Sequence, residues 1–572
     1  MRTIPSLTRN RQACTLSAAL CAAYLIAAAP TSLLAQSAVV PATVSQVWAP
    51  DLGDGRYKNP ILYADYSDAD VIRVGQDFYL VASSFNMIPG LPILHSRDLV
   101  NWQIVAHALT RQEPAERFNQ PNHGNGVWAP ALRYHAGEFF LFYPEPDTGI
   151  YMTKASTVTG PWSTPILVKA GPGWIDPCPF WDDDGKAYLV NAMAASRSGI
   201  KSVIVLSRMS TDGTHLLDSG TIVVDGHSAD PTLEGPKIYK RNGWYYLSAP
   251  AGGVPTGWQV VFRSRKIYGP YERRVVLAQG TTSINGPHQG AWVDTPSGES
   301  WFLHFQDQGP YGRVVLLEPM SWKDDWPIIG INTNASGTGE PVTTYHKPKV
   351  TPTVIPSTPA DSDEFNAPDI GPQWQWQANP QPGWAFSSAA LGVLRLTAIP
   401  PTKGDTNLWN IPNVLTQKLP GPAFTVTTKV TFLSTFVGEE TGLVINGQSY
   451  AYIGIVHTSE GLAVHSFQRL HADGADVAND SPARPIKGNT VYLRATVQSD
   501  ALLTLHGVHT GAIATFSYSE NGTGFTTLGQ PFHAEPGRWI GATVGLFALG
   551  TSNAGERGYA DYDWFRFTPA PK

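Results

Sequence analysis

Residues 236–247, "PKIYKRNGWYYL", decide the fold. A short apolar strand runs into the polar turn Arg241-Asn242-Gly243, and a second strand ends on bulky apolar residues at Leu247. This is the pattern of a tight antiparallel hairpin. It recurs four more times, as "DVIRVGQDFYL" to Leu80, "ALRYHAGEFFL" to Leu141, "PFWDDDGKAYL" to Leu189 and "AWVDTPSGESWFL" to Leu303. The Leu-to-Leu steps are 61, 48, 58 and 56 residues, each long enough for a four-stranded antiparallel sheet. A unit repeating at this period packs radially, so five copies predict a five-bladed β-propeller. An ordinary sandwich with coincidental hairpins is the alternative, and the regular spacing weighs against it.

The bulk properties agree. Among 572 residues, 42% are hydrophobic, 15% charged and 11% aromatic, with 54 Gly and 47 Pro. Many short strands joined by tight turns have this composition. The Pro/Ser/Thr-rich stretch "HKPKVTPTVIPSTPADS", 346–362, reads as a linker. Beyond it the repeat stops, but alternating strands continue, as in "FTVTTKVTFL" and "YADYDWFRFTP", and predict a C-terminal antiparallel β-sandwich over 363–572.

The first 35 residues read as an export signal. Arg2, Arg9 and Arg11 precede the apolar run "ACTLSAALCAAYLIAAA", and "TSLLAQS" offers a cleavage site after Ala35. The expected location is therefore periplasmic or extracellular. The run is short for a membrane span and none follows, so no membrane partner is expected. Removing three Arg takes the formal charge from -6 to about -9. Nucleic-acid binding has no electrostatic support. Cys14 and Cys21 lie in the signal, so Cys178 alone remains and no internal disulfide is expected. Between two prolines, it reads as a buried structural thiol rather than a nucleophile.

Counting back from each Leu finds chemistry at one recurrent place. Thirteen residues before Leu247 is Glu234, thirteen before Leu189 is Asp176, and thirteen before Leu141 is Trp128. Twelve before Leu80 is Asp68, and fifteen before Leu303, across a longer turn, is His288. If the strands that follow are innermost, these side chains meet at one end of the axis. Three carboxyls so confined repel one another, and at least one keeps a proton near neutral pH. A protonated acid and an ionised base flanking one bond is the requirement of glycoside hydrolysis. Trp128 offers a face to a sugar ring and His288 a polar partner. Each acid read singly is equally a turn or structural carboxylate, and a calcium site is the rival for the cluster.

The motifs "YKNPILYADYSDADVIRVGQDFYLVASSF", "HSRDLVNW", "VWAPALRY", "GWIDPCPFWDDDGKAYL", "EGPKIYKRNGWYYL" and "INGPHQGAWVDT" together resemble glycoside hydrolase family 43. The likeness is to its two-domain β-xylosidases and α-L-arabinofuranosidases, and covers about 57–342. The C-terminal part resembles the concanavalin-A-like sandwich of such enzymes. The resemblance implies a five-bladed propeller, 57–345, that hydrolyses with inversion. It gives Asp68 the part of general base and Glu234 that of general acid. Asp176 becomes the carboxylate that orients Glu234 and favours its protonated form. Arg313 resembles an arginine that holds sugar hydroxyls, with Phe85, Trp128 and His288 as pocket residues. Asp68-Ala69 departs from the Asp-Pro of many relatives.

The expected function is exo-acting release of terminal xylose from xylo-oligosaccharides. The alternatives are an α-L-arabinofuranosidase on arabinoxylan or arabinan side chains, with an arabino-oligosaccharide as substrate, and, from another class, a sugar-binding propeller without catalysis. The sandwich is expected to support the propeller and lend a loop to the outer pocket. No cofactor is required; Asp363, Glu364 and Asp563 are candidates for a structural calcium site, with surface acids the rival reading.

Overall fold

The computed structural model describes residues 43–571 apart from 286, 352–353, 403–404, 475–476 and 505–506, and only the backbone of 501–509. The expected export signal lies outside the described residues. Five separate four-stranded antiparallel sheets follow one another, each in simple up-and-down order. We number them blades I to V. Their first strands are Asp70–Val74, Ala131–His135, Trp174–Trp181, Lys237–Arg241 and His288–Asp294. These first strands touch one another from blade to blade around the ring, except that blade V meets the second strand of blade IV. They are therefore innermost.

The repeat leucines show why the pattern recurs. Leu80, Leu141, Leu189, Leu247 and Leu303 are all fully buried. Each sits opposite a first-strand residue: Val71, Leu132, Pro179, Ile238 and Ala291 respectively. Burying one such side chain contributes about 2–3 kcal/mol, so each blade carries its own hydrophobic anchor. The hairpin of the opening stretch closes as Arg241 pairs Trp244 around Asn242 and Gly243, both at positive φ. That two-residue turn matches the twist of the flanking strands. The ring is completed at blade V, where the Ile61 amide donates to the Val315 carbonyl at 2.8 Å and Arg56–Lys58 pairs with Thr344–His346.

The predicted linker is strapped to the propeller. The Ser357 amide donates to Asn101 Oδ1 at 3.0 Å, and Lys347 Nζ reaches Asp51 Oδ2 at 2.7 Å. The C-terminal part is two eight-stranded antiparallel sheets among the described residues. Its core is continuous with blade V: Tyr311, Val314 and Leu316 pack in one cluster with Phe424, Val426 and Leu546. Tyr311 also donates its hydroxyl to the Pro422 carbonyl at 2.5 Å. Ile88 and Trp376 exchange backbone hydrogen bonds at 2.9 and 2.6 Å, which ties the blade I loop to the sandwich. No helix among the described residues is long and apolar enough to cross a membrane.

The candidate calcium group does not assemble. Asp363 accepts from Gln373, Trp374 and the Phe365 amide, Glu364 pairs with Arg566, and Asp563 pairs with Lys429. Each acid is consumed by its own protein donors. Cys178 is fully buried and accepts from Arg133 Nη2 at 2.9 Å, as expected of a structural thiol.

Candidate active site

The register refines the equivalence read from the sequence. Counted from the residue facing each repeat Leu, Asp68, Asp176 and His288 stand three places before Val71, Pro179 and Ala291. Trp128 and Glu234 stand four places before Leu132 and Ile238. The shared count of thirteen hid this, because the hairpin turns differ in length. At the third place blade IV has Gly235 instead of an acid.

That glycine answers to geometry. Asp68, Asp176 and Gly235 all take the left-handed conformation, with φ of 56°, 54° and 59°. Asp tolerates that region better than most side chains, and Gly enters it freely. A Cβ on Gly235 would lie 2.3 Å from Gln289 Oε1. Its amide instead donates to Asp176 Oδ2 at 2.7 Å, joining blade III to blade IV at the residue that follows Glu234. The preceding segment 226–233 is pinned by buried Asp230, which accepts from Arg273 Nε at 2.6 Å and Trp258 Nε1 at 3.1 Å.

One cavity of about 140 Å³ is lined by Asp68, Phe85, Trp128, Asp176, Glu234 and Arg313, together with Gln289 and Trp539. Six of the seven residues singled out in the sequence thus face one space. His288 lies behind it, with Nε2 3.2 Å from Glu234 Oε1 and no hydrogen bond from either ring nitrogen among the described residues. Asp68 is buried. Its carboxylate accepts from Ser83 Oγ at 2.6 Å and from Arg313 Nη1 at 3.0 and 3.2 Å. Arg313 therefore holds Asp68 as well as facing the pocket. Burial opposes the Arg313 charge, but Asp68, Asp307, Asp65 and Glu234 outweigh it and raise its pKa.

Asp176 is pushed up to about 7, first by burial and then by the charge of Glu234, against the pull of the Gly235 amide. A site with three carboxyls thus holds a proton near neutrality. Glu234 is the most exposed of the three, its side chain 26% accessible against 7% for Asp68. A reachable carboxyl on one wall and an oriented carboxylate on another can deliver a proton and activate water across a single bond.

Three contributors escaped sequence reading. Trp539, from sandwich loop 535–541, stands edge-on to Trp128 with ring centroids 6.5 Å apart and closes the pocket. Gln289 lies next to His288 but carries no signal of its own. Asp65 is buried behind the site and accepts from the Arg313 amide at 2.8 Å. The Phe85 loop is also shaped by its neighbours. Phe85 and Val127 exchange backbone hydrogen bonds, and a Cβ on Gly126 would stand 2.2 Å from the Phe85 carbonyl oxygen.

Comparison with known proteins now adds to this geometry. Residues 57–327 match the model of "Glycosyl hydrolases family 43", and 362–568 match "Beta xylosidase C-terminal Concanavalin A-like domain". A protein of Xylanibacter ruminicola whose name refers to beta-xylosidase is 40% identical over 503 residues, 86% of each chain. The non-reducing end alpha-L-arabinofuranosidase of Bacteroides ovatus is 28% identical over 539 residues, 90% of this chain and 95% of that one. The crystal structure of xylan beta-1,4-xylosidase from Bacillus halodurans superposes with a TM-score of 0.74 at 25% identity, covering 89% of this chain and 99% of that one. The repeat, the hub pocket and these matches agree: the chain is a glycoside hydrolase and belongs to glycoside hydrolase family 43.

Proposed function

We propose that this hydrolase releases terminal xylose from xylo-oligosaccharides by single displacement with inversion. The observation that carries this reading is the cavity itself. Asp68, Asp176 and Glu234 face a space of about 140 Å³, the size of one pentose ring, walled off by Trp128 and Trp539. A chain end enters such a pocket, whereas the middle of a polymer does not. Glu234 donates the proton to the leaving oxygen, Asp68 activates water on the opposite face, and Asp176 keeps Glu234 in place. Relatives named for β-xylosidase activity support xylose as the sugar.

The test is the rate on an aryl β-xyloside beside an aryl α-L-arabinofuranoside, with the first-formed sugar followed by NMR. The xyloside should be faster and should yield the α-anomer of xylose first. The Bacteroides ovatus relative favours arabinofuranoside release as the second reading, which a faster arabinofuranoside would establish. Export through residues 1–35 belongs to the same reading, since xylo-oligosaccharides arise where a polymer too large to enter a cell is cut. Fractionated cells should hold the mature chain outside the cytoplasm, beginning near Gln36; full-length protein in the cytoplasm would refute it.

A further inference from the structure

Trp539 borders more than the catalytic pocket. On one side a cleft of about 490 Å³ runs past Asp307, Arg313, Gln448 and Asp473. On the other a cleft of about 370 Å³ is lined by His123, Asn125, Ser196, Arg197, Arg538 and Trp539. Both meet the catalytic pocket at Trp539, and the first also shares Arg313 with it. Both share Arg538 and Trp539, but they differ in charge: the first adds Asp307, Asp473 and Arg313, and the second adds Arg197 and no acid.

The arginines of the second cleft are not equivalent. Arg197 donates Nε to Asp147 Oδ1 at 2.9 Å, and Asp147 is shared with Arg117 at 2.5 Å. Glu145 lies 3.6 Å from Arg117, so two arginines there balance two acids. Arg538 makes no hydrogen bond and no ion pair among the described residues. Its stem rests on Gly124, where a Cβ would stand 2.9 Å from Arg538 Cγ. His123 adds no charge: burial lowers it to about 4, and its Nε2 lies 2.7 Å from the Trp409 carbonyl. The cleft thus keeps Arg538 as a guanidinium with no ion-pair partner among the described residues, on the divide from the cleft that holds Asp473. A planar guanidinium fork suits a carboxylate better than it suits neutral hydroxyls.

We propose that this cleft binds the carboxylate of an acidic sugar carried on the leaving-group side of the substrate. The inference rests on the oligosaccharide reading above and adds a preference to it. The test uses full-length Glu234→Gln enzyme, which leaves the ligand uncut. Calorimetry compares a neutral xylo-oligosaccharide with the same oligosaccharide bearing a uronic acid on its second sugar. The acidic ligand should bind about three- to fivefold tighter at low salt, and the ratio should shrink as salt is added. Adding Arg538→Gln should bring the ratio to about one, and Arg538→Lys should keep part of it. Because the readout is a ratio within each variant, a general loss of affinity does not imitate it. Equal binding of the two ligands, or a ratio indifferent to Arg538, overturns this inference while leaving the xylosidase reading intact. Failure of wild-type enzyme to cleave any pentoside would overturn both.

Discussion

At the hub, Asp68, Asp176 and Glu234 arrive from three copies of one repeated unit, Asp68 and Glu234 just ahead of an innermost strand and Asp176 at a break in the register of one. At the rim, Trp539 and Arg538 arrive from a single loop of a second domain. The hub residues are fixed by short bonds between blades, such as the Gly235 amide to Asp176 and Arg313 to Asp68. The rim residues are held by the docking of the sandwich on blade V and on the Ile88 loop. The difference teaches a division of labour: the repeat supplies chemistry that depends on fixed distances, and the added domain supplies the wall that selects what enters.

The most damaging test removes the sandwich. Deleting 363–572 uncovers Tyr311, Val314 and Leu316 and breaks the Ile88–Trp376 bridge. The truncated chain should be insoluble or melt far below the intact protein in circular dichroism. A soluble, fully active propeller would show that the second domain is dispensable. Next in size is Asp68→Asn, which removes the proposed general base. It should lower kcat/KM by about 10³–10⁴ whatever the leaving group.

Asp176→Asn separates chemistry from stability. It should lower kcat by about 10–100-fold, because Glu234 loses its partner. Its effect on folding has the opposite sign. Asp176 keeps its proton to about pH 7 when folded, against an ordinary value of 3.8. The folded chain therefore binds more protons than the unfolded chain between these limits. This group's contribution to stability falls as pH rises from about 4 to 7. The asparagine variant is neutral throughout, so it should melt a few degrees above wild type at pH 8 and level with it at pH 4. Equal melting at pH 8 would show that the buried charge is relieved in some other way.

Trp539→Ala is the mildest change. It opens the pocket without touching the acids, so KM for oligosaccharides should rise about three- to tenfold with kcat within about twofold. A large fall in kcat would place the rim inside the chemistry and erase the contrast with the hub.

The sequence was legible where the physics is local and repeated. Leu80 to Leu303 mark the blades because each blade must bury the same position, and the acids stand out because they recur beside it. The one-place offset between Asp176 and Glu234 was illegible, since it depends on turn length and on pairing across strands. Arg313 was recognisable as a pocket residue, but its bond to Asp68 joins positions 245 residues apart. Trp539 sits in a non-repeating loop with no pattern to mark it. Only the docking of two domains brings it opposite Trp128. For the acids read as either surface groups or a calcium site, the partners were illegible, because only the fold brings Arg566 to Glu364 and Lys429 to Asp563.

The most direct measurement is the leaving-group dependence of Glu234→Gln. If Glu234 donates the proton, an aryl xyloside with an acidic phenol leaves almost unaided, and the variant should lose about tenfold or less on it. Unactivated xylobiose should lose about 10³-fold or more. Equal losses on both substrates would contradict the assignment of proton donation to this residue.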